Sequence, residues 1–186
     1  MARLSRCVAL ALVVAVAGCS GRGADRASVA DRARAAGPPV VAASAVDIQR
    51  LAARPGARGT LVNVWATWCA PCREEFPALL EVSRARARDG LRLVLVSADF
   101  GDQVSAVRAF LAARGVTDTT YIKAGDDMPF VNTLNPQWSG ALPATFIYDG
   151  AGHQVEFWEG MADEARFQRS VNQVLAARNP ERASRP

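Results

Sequence analysis

The stretch Leu61-Val-Asn-Val-Trp-Ala-Thr-Trp-Cys-Ala-Pro-Cys-Arg-Glu-Glu-Phe-Pro77 decides the fold. Its first six residues, Leu61 to Ala66, form a near-continuous apolar run, the pattern of a strand covered on both faces. Cys69 and Cys72 follow directly. Pro71 between them suits the first turn of a helix, where its missing N–H costs nothing, and residues 70–88 continue that helix. A strand thus delivers Cys69 to a helix N-terminus, where unpaired N–H groups and the dipole favour a thiolate. Cys72, one turn inside, is spaced to attack a mixed disulfide on Cys69. This predicts an exposed nucleophile at Cys69 and a resolving thiol at Cys72.

Working outward, Val40-Val41-Ala42 reads as a short strand. Ala45 to Arg54 reads as a helix capped by Ser44 and stopped by Pro55-Gly56. On the other side, Leu91 to Ser97 is a second buried strand and Asp102 to Arg114 a helix ended by Gly115. Tyr121-Ile122 and Met128 to Leu134 carry short strand and helix signals. Ala144 to Tyr148 and Gln154 to Trp158 flank the turn Asp149-Gly-Ala-Gly152 as a hairpin. A helix from Asp163 to Arg178 buries Phe167, Val171, Val174 and Leu175. The resulting order, β-α-β-α-β-α-β-β-α, predicts an α/β fold with a mixed sheet and helices on both faces.

The cysteine pair admits few other uses. Four zinc ligands are not within reach: the single histidine, His153, falls in the hairpin turn. No histidine or methionine lies near the pair in sequence to complete a copper site. A bridge between residues three apart closes too small a loop to restrain the unfolded chain much. The reading is therefore a redox pair with no metal and no cofactor.

The run Trp68-Cys-Ala-Pro-Cys-Arg-Glu-Glu-Phe-Pro-Ala-Leu79 resembles the envelope thioredoxin-like proteins of the TlpA/ResA group, over roughly Val40 to Arg178. A second landmark, Leu142-Pro143-Ala144-Thr145-Phe146, is similar to that group's cis-proline loop. The resemblance implies a thioredoxin fold, a cis bond before Pro143, and client contacts at Trp68, Ala70, Pro71, Leu142 and Pro143. An extended client would then pair with the Leu142 backbone. It also implies a functional acid at Glu75, three residues after Cys72 and on the same helical face, with Glu74 turned about 100° away. Thioredoxin has a buried aspartate where this chain has Asn63, which cannot take a proton. The segment Asn132 to Gly140 departs from the group as well, and its Trp138 fits either a client groove or the core.

The ends of the chain read differently. Arg3, Arg6 and the apolar run Val8 to Ala17 have the make-up of a signal peptide, and ten helical residues rise only about 15 Å, too short for a roughly 30 Å membrane core. Val16-Ala17-Gly18-Cys19 resembles a lipobox, implying cleavage after residue 18 and lipid on Cys19. Cys7 would leave with the signal, so Cys69 and Cys72 would be the only free thiols. Residues 19–39 read as a flexible lipidated tether, 40–178 as the thioredoxin-like domain, and 179–186 as a loose tail. Loss of residues 1–18 removes Arg3 and Arg6 and no acid, lowering the net charge from +4 to +2. That argues against nucleic acid as a partner.

The expectation is a thiol–disulfide oxidoreductase held at the cell envelope by lipid, its domain on the periplasmic or extracytoplasmic side. Its partners would be client proteins with disulfides and an integral-membrane electron donor. The group's roles suggest reduction of exported proteins, for example in cytochrome c maturation. An oxidase or isomerase of the same fold and a non-catalytic copper carrier for oxidase assembly are the alternatives.

Overall fold

The computed structural model describes residues 37–177. Cys19, the signal segment, most of the tether and the tail lie outside the described residues. Among the described residues, six strands and five α-helices alternate, except where the last two strands form a hairpin. They are β1 (Val40–Ala43), α1 (Ala45–Ala52), β2 (Gly59–Trp65), α2 (Ala70–Arg86), β3 (Leu91–Ser97) and α3 (Val104–Ala112). Then come β4 (Thr120–Lys123), α4 (Asp127–Leu134), β5 (Ala144–Asp149), β6 (Gln154–Glu159) and α5 (Glu164–Ala176).

The sheet runs β1-β4-β3-β2-β5-β6. The β1–β4, β4–β3 and β3–β2 pairs are parallel, whereas β5 runs antiparallel to both β2 and β6. The mixed α/β sheet expected from the sequence is therefore present, with one correction. The order β-α-β-α-β-α-β-β-α omits a β-α unit: Thr120–Lys123 is a full strand between β1 and β3, and α4 follows it. The short strand signal at Tyr121-Ile122 is thus realised, although four residues alternating buried and half-buried are too short a pattern to enter that order as an element.

Strand β2 is buried at every position and supplies both cores. Leu61 and Trp65 point to the side covered by α2, α3 and α5, with Phe76, Leu79, Leu111, Phe167 and Val171. Val62 and Val64 point to the side covered by α1 and α4, with Ile48, Phe130, Leu134 and Phe146. This two-sided burial is the physical origin of the unbroken apolar run. Ser44 closes a capping box with Asp47 at the start of α1, which ends two residues earlier than Arg54.

Residues 37–39 are tied to the domain. The Thr120 N–H donates to the Pro39 carbonyl at 2.9 Å, and Arg108 Nε donates to the Pro38 carbonyl at 3.2 Å. Among the described residues, no helix is long and apolar enough to cross a membrane.

Candidate active site

The site is built where β2 stops. The Thr67 N–H donates to Asp99 Oδ2 at 2.9 Å, and the Thr67 hydroxyl donates to the other carboxylate oxygen. The Ser97 hydroxyl also donates to Asp99 Oδ2, at 2.6 Å. Asp99, buried just past the end of β3, thereby fixes the turn that carries the chain from β2 into α2. Nothing in the sequence alone marked it, beyond being an acid directly after a buried strand.

Cys69 is the N-cap of α2, and Pro71 sits in its first turn. Cys69 and Cys72 are joined by a disulfide, and the Cys72 N–H donates to Cys69 Sγ at 3.3 Å. Cys69 is 5% exposed and Cys72 0%, so the exposed Cys69 expected from the sequence is corrected: with the disulfide closed both sulfurs are buried, Cys69 slightly less than Cys72. Trp68 beside it is 61% exposed, and Ala70 and Pro71 are exposed too.

Glu75 lies one turn beyond Cys72 and is only 2% exposed, which rules out a solvated surface charge. Its Oε1 accepts from Asn63 Nδ2 at 2.9 Å and its Oε2 from the Ala162 N–H at 2.9 Å. Burial pushes its carboxyl from the ordinary 4.5 up to about 7, against the pull of the Ala162 and Asn63 hydrogen bonds. The neighbouring Phe76 is held edge-on against Trp65, with ring centroids 4.8 Å apart, and packs α2 onto the sheet beside Glu75. Glu74 faces solvent, as the helical rotation requires.

Asn63 occupies the centre of β2, on the α2 side. Its amide nitrogen also donates to Thr145 Oγ1 at 3.1 Å, whereas its Oδ1 has no hydrogen-bond partner. The sequence marked Asn63 only as a missing acid, and it proves to be the side chain that holds Glu75. The Ala162 contact, 87 residues away from Glu75, had no local signal.

The second landmark comes to the same end of the sheet. Val64 pairs with Ala144 in the antiparallel β2–β5 ladder, so the turn leaving β2 and the loop entering β5 lie side by side. The Leu142–Pro143 bond is cis. The loop after β6 ties the two parts together, since the Gly160 N–H donates to the Pro143 carbonyl at 2.7 Å while Ala162 reaches Glu75. Among the described residues, the Leu142 N–H and C=O make no hydrogen bond. Trp138 belongs to the core: it is 5% exposed and packs edge-on to Phe146 at 5.5 Å. Among the described residues, no group of three or more His, Cys, Asp or Glu side chains is placed to hold a metal ion.

Chemically, a disulfide at a helix N-terminus, a buried carboxyl near neutrality and an open backbone edge suit two-electron thiol exchange with an extended chain. Comparison with known proteins agrees. The chain is 33% identical over 117 residues to the thiol:disulfide interchange protein HelX of Rhodobacter capsulatus, covering 62% of this chain and 60% of that protein. It is 26% identical over 117 residues to the thiol-disulfide oxidoreductase ResA of Bacillus subtilis, covering 63% of this chain and 62% of that protein. It thus spans about three fifths of the length of these relatives. A thiol:disulfide interchange protein of the thioredoxin family from Chlorobium tepidum superposes with a TM-score of 0.56 at 22% identity, over 75% of this chain and 97% of that one. The AhpC/TSA family model matches residues 39–155, which include both cysteines, Glu75 and the cis-proline loop, and the chain belongs to that family, with a thioredoxin fold.

Proposed function

We propose that this protein is an extracytoplasmic thiol–disulfide oxidoreductase that reduces disulfides of exported proteins. The observation that carries the reading is the Cys69–Cys72 pair at the N-terminus of α2, with Cys72 one helical turn from the buried acid Glu75.

In the reduced protein, the Cys69 thiolate attacks one sulfur of a client disulfide. The client S–S bond breaks, and its other sulfur leaves as a thiolate. Cys72 then loses its proton to Glu75 and attacks Cys69 Sγ. The mixed disulfide breaks, the client leaves with both sulfurs reduced, and two electrons have passed to it from the pair. An integral-membrane dithiol donor returns the pair to the reduced state.

A base poised near 7 suits the proton step, because it is ionised often enough to accept and acidic enough to release. Asn63 serves both states of that base. Its amide nitrogen donates to the carboxylate, and turned over, its oxygen accepts from the carboxylic acid. This gives the unpartnered Asn63 Oδ1 a use.

The Trp68 rim and the open Leu142 backbone are the client surface, with Ala70, Pro71 and Pro143 completing it. The names of the relatives HelX and ResA support thiol–disulfide interchange as the reaction class. Cytochrome c maturation, with apocytochrome cysteines as clients, is the assignment we favour, together with lipid anchoring at Cys19.

Mixed-disulfide trapping tests the reading. Cys72→Ser incubated with a disulfide-bearing client should accumulate a covalent adduct through Cys69 that thiol reductant releases, and Cys69→Ser should form none. Adducts through Cys72 in preference to Cys69 would reverse the roles, and no adduct with either would end the proposal.

A further inference from the structure

The segment after α4 is used neither by the redox pair nor by the acid. Asn135 begins it, with its Oδ1 accepting from the Gln137 N–H at 2.7 Å and its carbonyl from the Trp138 N–H at 3.0 Å. This turn sends the Trp138 indole inward against Phe146, the third residue of β5. The indole N–H donates to the Ala141 carbonyl at 2.8 Å. From the other side, the Ser139 hydroxyl accepts from the Ala141 N–H at 3.3 Å. Ser139 is held in turn by Glu159 at the end of β6, whose Oε2 accepts from the Ser139 N–H at 3.1 Å and its hydroxyl at 2.8 Å. Gly140 makes the reversal between them at φ +90°, a conformation that side-chain-bearing residues rarely adopt.

Both peptide groups of Ala141 are therefore satisfied within the protein, and the next residue, Leu142, is left with its N–H and C=O free among the described residues. An exposed backbone edge binds an extended chain well only if its own geometry is fixed beforehand, since ordering it on binding costs affinity. We infer that Trp138, Ser139 and Glu159 form a brace that presents the Leu142 backbone to clients, making Trp138 a positioning residue for client affinity. This rests on the oxidoreductase reading above and adds to it what sets the strength of the client complex.

The test is single-turnover oxidation of the reduced full chain by a short peptide with an internal disulfide, at increasing peptide concentration. Hydroxyethyl disulfide, which has no backbone to pair, serves as the comparison. Trp138→Phe keeps the ring and deletes the N–H, and should raise the half-saturating peptide concentration roughly tenfold, the loss expected for one well-placed hydrogen bond. The plateau rate and the hydroxyethyl disulfide rate should hold. Ser139→Ala, a surface change that removes the Ala141 partner, should give the same split and stands in if the tryptophan variant does not fold. Unmoved half-saturation in both variants, or equal slowing with peptide and hydroxyethyl disulfide, would overturn the brace. Wild-type protein that reacts with hydroxyethyl disulfide but not with peptide would overturn the oxidoreductase reading itself.

Discussion

The Asn63 amide donates to Glu75 Oε1 across 2.9 Å, joining the middle strand of the sheet to the helix that carries both cysteines. The contact lies where thioredoxin has an acid on the strand, so here the acid has moved to the helix and the strand supplies its partner. The exchange keeps one buried titratable group near Cys72. It also places that group one helical turn from Cys72, on the same face.

Replacing Glu75 by Gln keeps the shape and removes the proposed proton acceptor. Decay of a mixed disulfide between Cys69 and a client should slow roughly tenfold or more at pH 7, as expected for loss of a positioned base. Glu74→Gln, on the solvent side of the same helix, should decay at the wild-type rate. Stopped-flow release of a labelled client measures both, and equal rates in the two variants would remove Glu75 from the mechanism.

The same carboxyl imposes a pH dependence on stability. Its folded pKa of about 7 exceeds its ordinary value of 4.5, so between these values the native state holds a proton that the unfolded chain has given up. Stability is therefore full below about pH 4.5 and falls as pH rises through 7, by about 3 kcal/mol in all. Urea unfolding of the oxidised protein from pH 4.5 to 8.5 should show this loss relative to Glu75→Gln, which lacks the titrating group. Parallel curves for the two proteins would contradict it.

Cys19 is the proposed lipid anchor. Mass spectrometry of the protein from its native membranes should find the chain beginning at Cys19 with diacylglycerol attached, and Cys19→Ala should accumulate as unprocessed precursor. A mature form beginning at another residue and released by a salt wash would rule out the lipid anchor.

Much of this was legible in the sequence because the informative signals are local. Burial of β2 on both faces writes itself as Leu61 to Ala66, and the strand-to-helix turn is spelled by Trp68, Cys69, Pro71 and Cys72. The spacing of Glu75 from Cys72 and the proline at 143 are visible for the same reason. What escaped depends on contacts between distant segments, Ala162 donating to Glu75 and Asp99 holding Thr67, and a contact of the same kind decides for the core where the sequence leaves Trp138 open between core and groove. The burial of Glu75 belongs with these, since it follows from what covers the helix and not from the helix itself. β4 shows in the sequence only as the pair Tyr121-Ile122, because it is so brief.

Whether Cys69 and Cys72 work as a reductant is decided by their reduction potential. Equilibration of the protein in glutathione redox buffers at pH 7, followed by acid quench and counting of free thiols, gives the value. A reductant should show a couple near that of thioredoxin, roughly −270 mV and below the glutaredoxin range. A value near −120 mV, that of a strong disulfide donor, would contradict it and make the protein an oxidase.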